Sequence, residues 1–238
     1  MADRFVAPHE LCLGEIAPLG TANGIEFYPV GSASGGGDPL SPPPDRIPLG
    51  ATHMLAPHSG RNAGRHFLVT GGTQGVGLAI ANRLAEEGAA GIIIAGRNRE
   101  RGEAAAAGLT AQGTDCRFAA ADVGDADDCQ RLIETALAAF PALDGLVNAA
   151  GTAERSGLLD TTLEQWDQHF NINARGPFLL MQGLVCHLLA GARTGSIVNI
   201  VSMAAHCGGP QVTPYSASKA ALANLTRNTA NAFADRGI

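Results

Sequence analysis

The chain's 238 residues are enough for one ordinary domain with a tail and too few for two full domains. Hydrophobic residues make up 45%, which excludes a disordered chain, while only 16% are charged and 31 are glycine, a mix suited to a buried sheet with many tight turns. The net charge is −6, with three basic against six acidic residues up to residue 64 and 13 against 16 after it, so neither part reads as an electrostatic binder of nucleic acid or anionic membrane.

Residues 1–64 hold nine of the 13 prolines and ten of the glycines, including Gly35-Gly36-Gly37 and Pro42-Pro43-Pro44. Such a segment predicts coil or polyproline rather than regular helix. Its only strand-like piece is Gly24 to Val30, which Pro29 would confine to a sheet edge or a loop. The opening Met1-Ala2-Asp3-Arg4 is followed by no apolar run, so no secretory signal is expected. Five cysteines, odd in number and widely spaced, fit a reducing, cytoplasmic setting. Cys186-His187 and His206-Cys207 come without a C-x-x-C pair, and no metal site is expected from them. The apolar stretch Phe178 to Ala190 is too short to span a bilayer.

From His66 the texture changes. Phe67 to Thr70 predicts a buried strand, then glycines, then a helix from about Gly75 to Glu87. Ile92 to Ala95 is a second continuous apolar run, the pattern of a strand covered on both faces. An Ala-rich helix follows, then a strand at Cys116 to Ala121, a helix near Asp125 to Phe140 and a strand at Leu146-Val147. Later come a long helix near Asn173 to Leu189, a strand at Ile197 to Val201 and a final helix from about Thr213 to Asp235. Strands alternating with helices predict βαβ units and a doubly wound parallel α/β sheet.

The first βα turn reads Thr70-Gly71-Gly72-Thr73-Gln74-Gly75-Val76-Gly77. Glycines there let the chain turn sharply and let backbone N–H groups approach a pyrophosphate at a helix N-terminus. Further on stand Asp122-Val123, Asn148-Ala149-Ala150-Gly151, Asn173, Ser202 and Tyr215-x-x-x-Lys219. Lys219 is the only lysine, and Tyr215 is one of two tyrosines. Four apart on a helix, they project from the same face. An unperturbed phenol has a pKa of about 10, and a nearby ammonium lowers it toward useful proton exchange.

Together these motifs, over about residues 66 to 238, resemble the short-chain dehydrogenase/reductase family, whose fold is Rossmann-like. The resemblance implies hydride transfer between a nicotinamide cofactor and a carbonyl or secondary alcohol. Its catalytic residues would be Asn173, Ser202, Tyr215 and Lys219, with Tyr215 as acid/base. Cofactor contacts are implied at Gly71, Gln74, Gly75, Val76, Gly77, Arg97, Asp122, Val123, Asn148, Ala149, Gly151, Tyr215 and Lys219. Asn171 reads as a structural neighbour of Asn173. His169, His187 and His206 are each candidates for substrate contact; His169 and His187 read rather as packing or helix surface, and His206, in the loop after Ser202, is left open to either role. An acidic residue about 20 residues beyond the glycines would accept the adenosine ribose of NAD. Here the sequence is Ala95-Gly96-Arg97-Asn98, so NADP is favoured with NAD as the alternative. Phe178, Leu179, Met181, Leu184, Val185 and Leu188 exceed one core-facing stripe, and the family packs that helix on a second subunit, so a homo-oligomer is expected.

Two departures from the family stand out. The first strand is preceded by 65 residues, and Gly237-Ile238 falls where the family's sixth strand would begin. A domain at 65–238 lacking the family's last two strands is therefore expected behind an irregular 1–64 extension. The competing function is an inactive nucleotide-binding fragment or an interaction protein. Such a scaffold serves oxoacyl thioesters, sugars, polyols and steroids alike.

Overall fold

The computed structural model describes residues 60–238. The readings placed on residues 1–59, among them the strand-like piece Gly24 to Val30, lie outside the described residues. Within them a single sheet of five parallel strands has the order β3-β2-β1-β4-β5, with β1 at His66–Thr70, β2 at Gly91–Gly96, β3 at Asp115–Ala120, β4 at Leu143–Asn148 and β5 at Ser196–Asn199. Helix α1 spans Gly75–Glu86, α2 Arg99–Thr110 and α3 Ala126–Ala139. Helix α4 spans Leu163–Phe170, α5 Gly176–Ala190, the short α6 Ala204–Cys207 and α7 Thr213–Phe233.

Parallel strands need covered faces, and the alternation of side chains along β1 and β2 supplies both. Leu68 and Ile93 point to one side, into a core with Leu132 and Ile133 of α3 and Leu180 and Leu184 of α5. Phe67, Val69, Ile92 and Ile94 point to the other, against Ala81 of α1 and Ala106 and Leu109 of α2. Each fully buried aliphatic side chain stabilises the sheet by about 1.5–3 kcal/mol. Residues 60–64, assigned to the extension by sequence, dock on the α1–β2 turn, where Asn62 donates its N–H to the Glu87 carbonyl at 3.0 Å and Ala63 bridges Ala89.

Strand register places Ala119, Ala95, Thr70, Asn148 and Asn199 in one row across the sheet. The turns after the strands leave from that row. Because β1 lies between β2 and β4, the winding reverses there, and a crevice opens at the C-terminal ends of these strands.

Three elements differ from the sequence expectation. Helix α4 was not expected; its start is a capping box in which Thr162 accepts the Gln165 N–H at 3.1 Å and the Gln165 side chain accepts the Thr162 N–H at 3.2 Å. Asn173 does not open a helix. It sits in a π turn, Asn171–Arg175, inside a continuous helical path from α4 into α5. Pro177 has no N–H to offer the carbonyl four residues back, that of Asn173, so the regular α ladder is interrupted at this point. The last strand is shorter than Ile197 to Val201: the chain leaves the sheet after Asn199, and Val201 is exposed. At the far end α7 stops at Phe233 and a 3₁₀ turn covers Ala234–Arg236. Among the described residues no helix is long and apolar enough to cross a membrane.

Candidate active site

Thr70 ends β1 buried, and its hydroxyl accepts the Ala150 N–H at 3.3 Å, tying the first βα turn to the fourth. Gly71 then takes φ +66°, and a Cβ there would lie 2.8 Å from the Ala150 nitrogen. A Cβ on Gly77 would lie 2.2 Å from the Gly71 carbonyl oxygen, so only glycine lets α1 start this close to the strand. The residue before α1, Gln74, makes no side-chain cap, and the first turn carries no acid. Helix N-termini leave backbone N–H groups without intrahelical partners, and here Gly75, Val76 and Gly77 line a cavity of about 480 Å³. A glycine-only cradle at an uncapped helix N-terminus fits the pyrophosphate of a dinucleotide.

The other strand ends complete the wall. Gly96 and Arg97 follow β2, Asp122 and Val123 follow β3, and Ala149 to Gly151 follow β4. Asp122 folds back to accept the Gly124 N–H at 2.9 Å, and Arg97 stands 3.7 Å from its other oxygen, both side chains well exposed.

The cavity lining takes in Ile172 of the π turn but no residue of α7, which approaches it at Gly151. A Cβ on Gly151 would fall 3.2 Å from Asn173 Oδ1 and 3.5 Å from Lys219 Nζ, which brings these three residues to one place. Asn173 is fully buried with its side chain occupied: Nδ2 donates to the Thr152 carbonyl and to Ser218 Oγ, each at 3.0 Å, and Oδ1 accepts the Thr152 N–H at 2.9 Å. It clamps the β4 turn to α7. Lys219 is buried and donates to the Ile200 carbonyl at 2.7 Å, fastening α7 to the end of β5. Ser202 accepts the Ala204 N–H at 3.2 Å, so its own O–H is available to donate. Tyr215, half-buried, sits in the first turn of α7, four residues before Lys219.

With this geometry in place, comparison with known proteins is decisive. The profile of the family described as short chain dehydrogenase matches residues 65–238. The chain belongs to the short-chain dehydrogenase family. Among relatives in that family, 3-oxoacyl-[acyl-carrier-protein] reductase FabG of Staphylococcus aureus is 34% identical over 171 residues, covering 72% of this chain and 69% of that protein. Dehydrogenase/reductase SDR family member 4 of Homo sapiens is 36% identical over 177 residues, 74% of this chain and 63% of that protein. A solved structure of NAD+-bound xylitol dehydrogenase superposes with a TM-score of 0.70 at 31% identity, over 75% of this chain and 68% of that one.

Of the residues singled out by sequence as cofactor contacts in this short-chain dehydrogenase, Gly71, Gln74, Gly75, Val76, Gly77, Arg97, Asp122, Val123, Ala149 and Gly151 all line the cavity. Tyr215 and Lys219 do not line it, and neither does Asn148, which is buried and donates to Asn199 Oδ1 at 2.8 Å, bracing β4 against β5. Sequence reasoning missed Thr73, Arg101, Glu154 and Gln168, which line the cavity too. For Arg101 a signal existed: it lies one helical turn beyond Arg97. The histidines are distributed as surface and packing groups, with His169 fully buried on α4, His187 bonded to the Pro141 carbonyl at 2.9 Å, and His206 exposed on α6 close in sequence to Ser202. Burial pushes the thiols of Cys116 and Cys129 up to about 12 and about 11, which leaves both inert near neutrality.

Burial also pulls Lys219 down to about 8 from the ordinary 10.5. Between those two values the unfolded chain keeps a proton that the folded chain has released, so stability rises with pH across that window. Below about 8 both states hold the proton, and the cost of burying the charge is fully present. Lys219→Met removes this group, so its stability relative to the parent should be most favourable below pH 8 and should decline toward pH 10.5. Urea midpoints for the two proteins across that range check the trend; parallel curves would contradict the burial of a titrating lysine.

Proposed function

We propose that the chain is an NADP(H)-dependent oxidoreductase interconverting a carbonyl and a secondary alcohol. The observation that carries this reading is the meeting of Asn173 with Lys219, which shares a helix with Tyr215, at Gly151 on the wall of the glycine-lined cavity. The nicotinamide, when bound, supplies or accepts the hydride. Gly75 to Gly77 would offer N–H groups to the pyrophosphate, and Asp122 and Val123 on the same wall would contact the adenine. Tyr215 gives its phenolic proton to the substrate oxygen during reduction and takes it back during oxidation. The ammonium of Lys219 favours the phenolate, and the Ser202 hydroxyl orients the substrate oxygen. Asn173 acts by holding Thr152 and Ser218 in place beneath this group. The catalytic domain is assigned to residues 65–238, with 1–64 as an extension, in a cytoplasmic protein.

NADP rather than NAD is supported by the end of β2, where Gly96 is followed by Arg97 and Asn98, so that the strand end itself carries no acid to receive ribose hydroxyls. NADPH should therefore bind more tightly than NADH, and Arg97→Asp should reverse the order. Calorimetric titration with both cofactors tests this, and equal affinities in the parent protein would overturn it. The name of the Staphylococcus aureus relative places 3-oxoacyl thioesters first among carbonyls to assay. A homo-oligomer built on α5 belongs to the same reading, since Phe178 and Leu189 stand exposed on a helix otherwise buried along Leu180, Leu184 and Leu188. Sedimentation velocity showing only monomer would sink that part.

A further inference from the structure

We infer that Arg101 is the main contact for the cofactor's 2′-phosphate, aimed at it by Gln74, while Arg97 is held aside by Asp122; this rests on the NADP reading above. Asn98 caps α2 by accepting the Arg101 N–H at 2.8 Å, which fixes the residue one turn into the helix, next to the end of β2. From there the guanidinium reaches back across the crevice and donates to Gln74 Oε1, at the tip of the glycine turn. Gln74, Asn98 and Arg101 thus form one side of the cavity wall between the first and second strand ends.

The two arginines differ in their electrostatic surroundings. Arg97 faces Asp122 at 3.7 Å, and it also borders a second hollow lined by Asp122, Asp125, Glu164 and Asp167. Those carboxylates compensate its charge and would repel a phosphate drawn toward it. Among the described residues Arg101 has no carboxylate within ion-pairing distance; its partner is a neutral amide. A guanidinium carries five N–H donors, and the bond to Gln74 engages one. The rest are free for bidentate contact with phosphate oxygens, the geometry that arginine serves better than lysine. Gln74 is then a positioning residue. It holds the guanidinium over the turn without adding a charge of its own.

The test is calorimetric titration of the full chain with NADPH and with NADH, for the parent, Arg101→Ala, Arg101→Lys, Gln74→Ala and Arg97→Ala. The quantity to follow is the ratio of the two affinities. Arg101→Ala should lower the NADPH preference about tenfold or more with NADH affinity unchanged, because charge-assisted bonds to the phosphate are lost and nothing else is. Arg101→Lys should keep part of the preference and Gln74→Ala should lose part, while Arg97→Ala should change it less than Arg101→Ala does. If Arg101→Ala keeps the parental ratio, or lowers both affinities alike, the assignment to Arg101 is wrong. A parent protein with no preference would instead overturn the NADP reading on which it rests.

Discussion

Replacing Tyr215 by phenylalanine is expected to cut carbonyl reduction by about 10²- to 10⁴-fold, the range that a positioned proton donor contributes. The substitution keeps the ring and removes only the hydroxyl, so packing around the first turn of α7 should survive. Tyr215 Oη makes no hydrogen bond to another described residue, and the backbone carbonyl of Tyr215 still receives the Ser218 hydroxyl at 2.8 Å. Lys219 keeps its own anchor at Ile200. NADPH affinity should therefore stay within about twofold while turnover collapses, a pattern that marks loss of an interaction made in the transition state. Full turnover in the variant would remove Tyr215 from the chemistry.

The second large effect is at Gly77. An alanine methyl there would meet the Gly71 carbonyl oxygen at 2.2 Å and the Gly71 carbonyl carbon at 2.7 Å, both backbone atoms in a turn already set by the positive φ of Gly71. Neither can swing aside as a side chain would, so α1 must move away from the strand. Gly77→Ala should destabilise the domain by about 2–3 kcal/mol, within the range for overpacking, and lower its melting temperature by roughly 5–10 °C. It should also abolish NADPH binding, because the displaced α1 no longer presents its N–H groups to the cavity. Gly108 on α2 is the matched control: a Cβ there meets nothing within 4 Å. Gly108→Ala should stabilise by about 0.5–1 kcal/mol through the ordinary preference of helices for alanine. Equal effects at the two positions, read by thermal melts, would contradict the packing of α1 on the first turn.

How much of this was legible in the sequence depended on how local each signal was. The apolar runs Phe67 to Val69 and Ile92 to Ala95 mark strands buried on both faces, and the glycine turn follows β1 at the expected place. Helix α4 is only eight residues long, yet its start was marked by Thr162-x-x-Gln165 and its face by Leu163, Trp166 and Phe170 at helical spacing. Asn173 was placed at a helix start because sequence periodicity does not show a widened turn. Pro177, four residues on, was the available clue. The run Ile197 to Val201 reads as one strand, yet the carbonyl of Ile200 is taken by a lysine 19 residues later, a tertiary contact that no local pattern announces. Arg101 lies beyond the strand end, and only the first turn of α2 brings it back to the cavity wall beside Arg97. On α5, Met181 and Val185 are buried beside Leu180, Leu184 and Leu188, while Phe178 and Leu189 stay exposed.

The most direct measurement is isotopic. NADPH deuterated at the transferable position of the nicotinamide is incubated with the full chain and a panel of carbonyl compounds led by 3-oxoacyl thioesters, and the alcohol products are weighed by mass spectrometry. The account predicts an alcohol carrying one deuterium on the former carbonyl carbon for at least one compound, formed by the parent protein and not by Tyr215→Phe. Alcohol without deuterium, or equal labelling by the tyrosine variant, would contradict it.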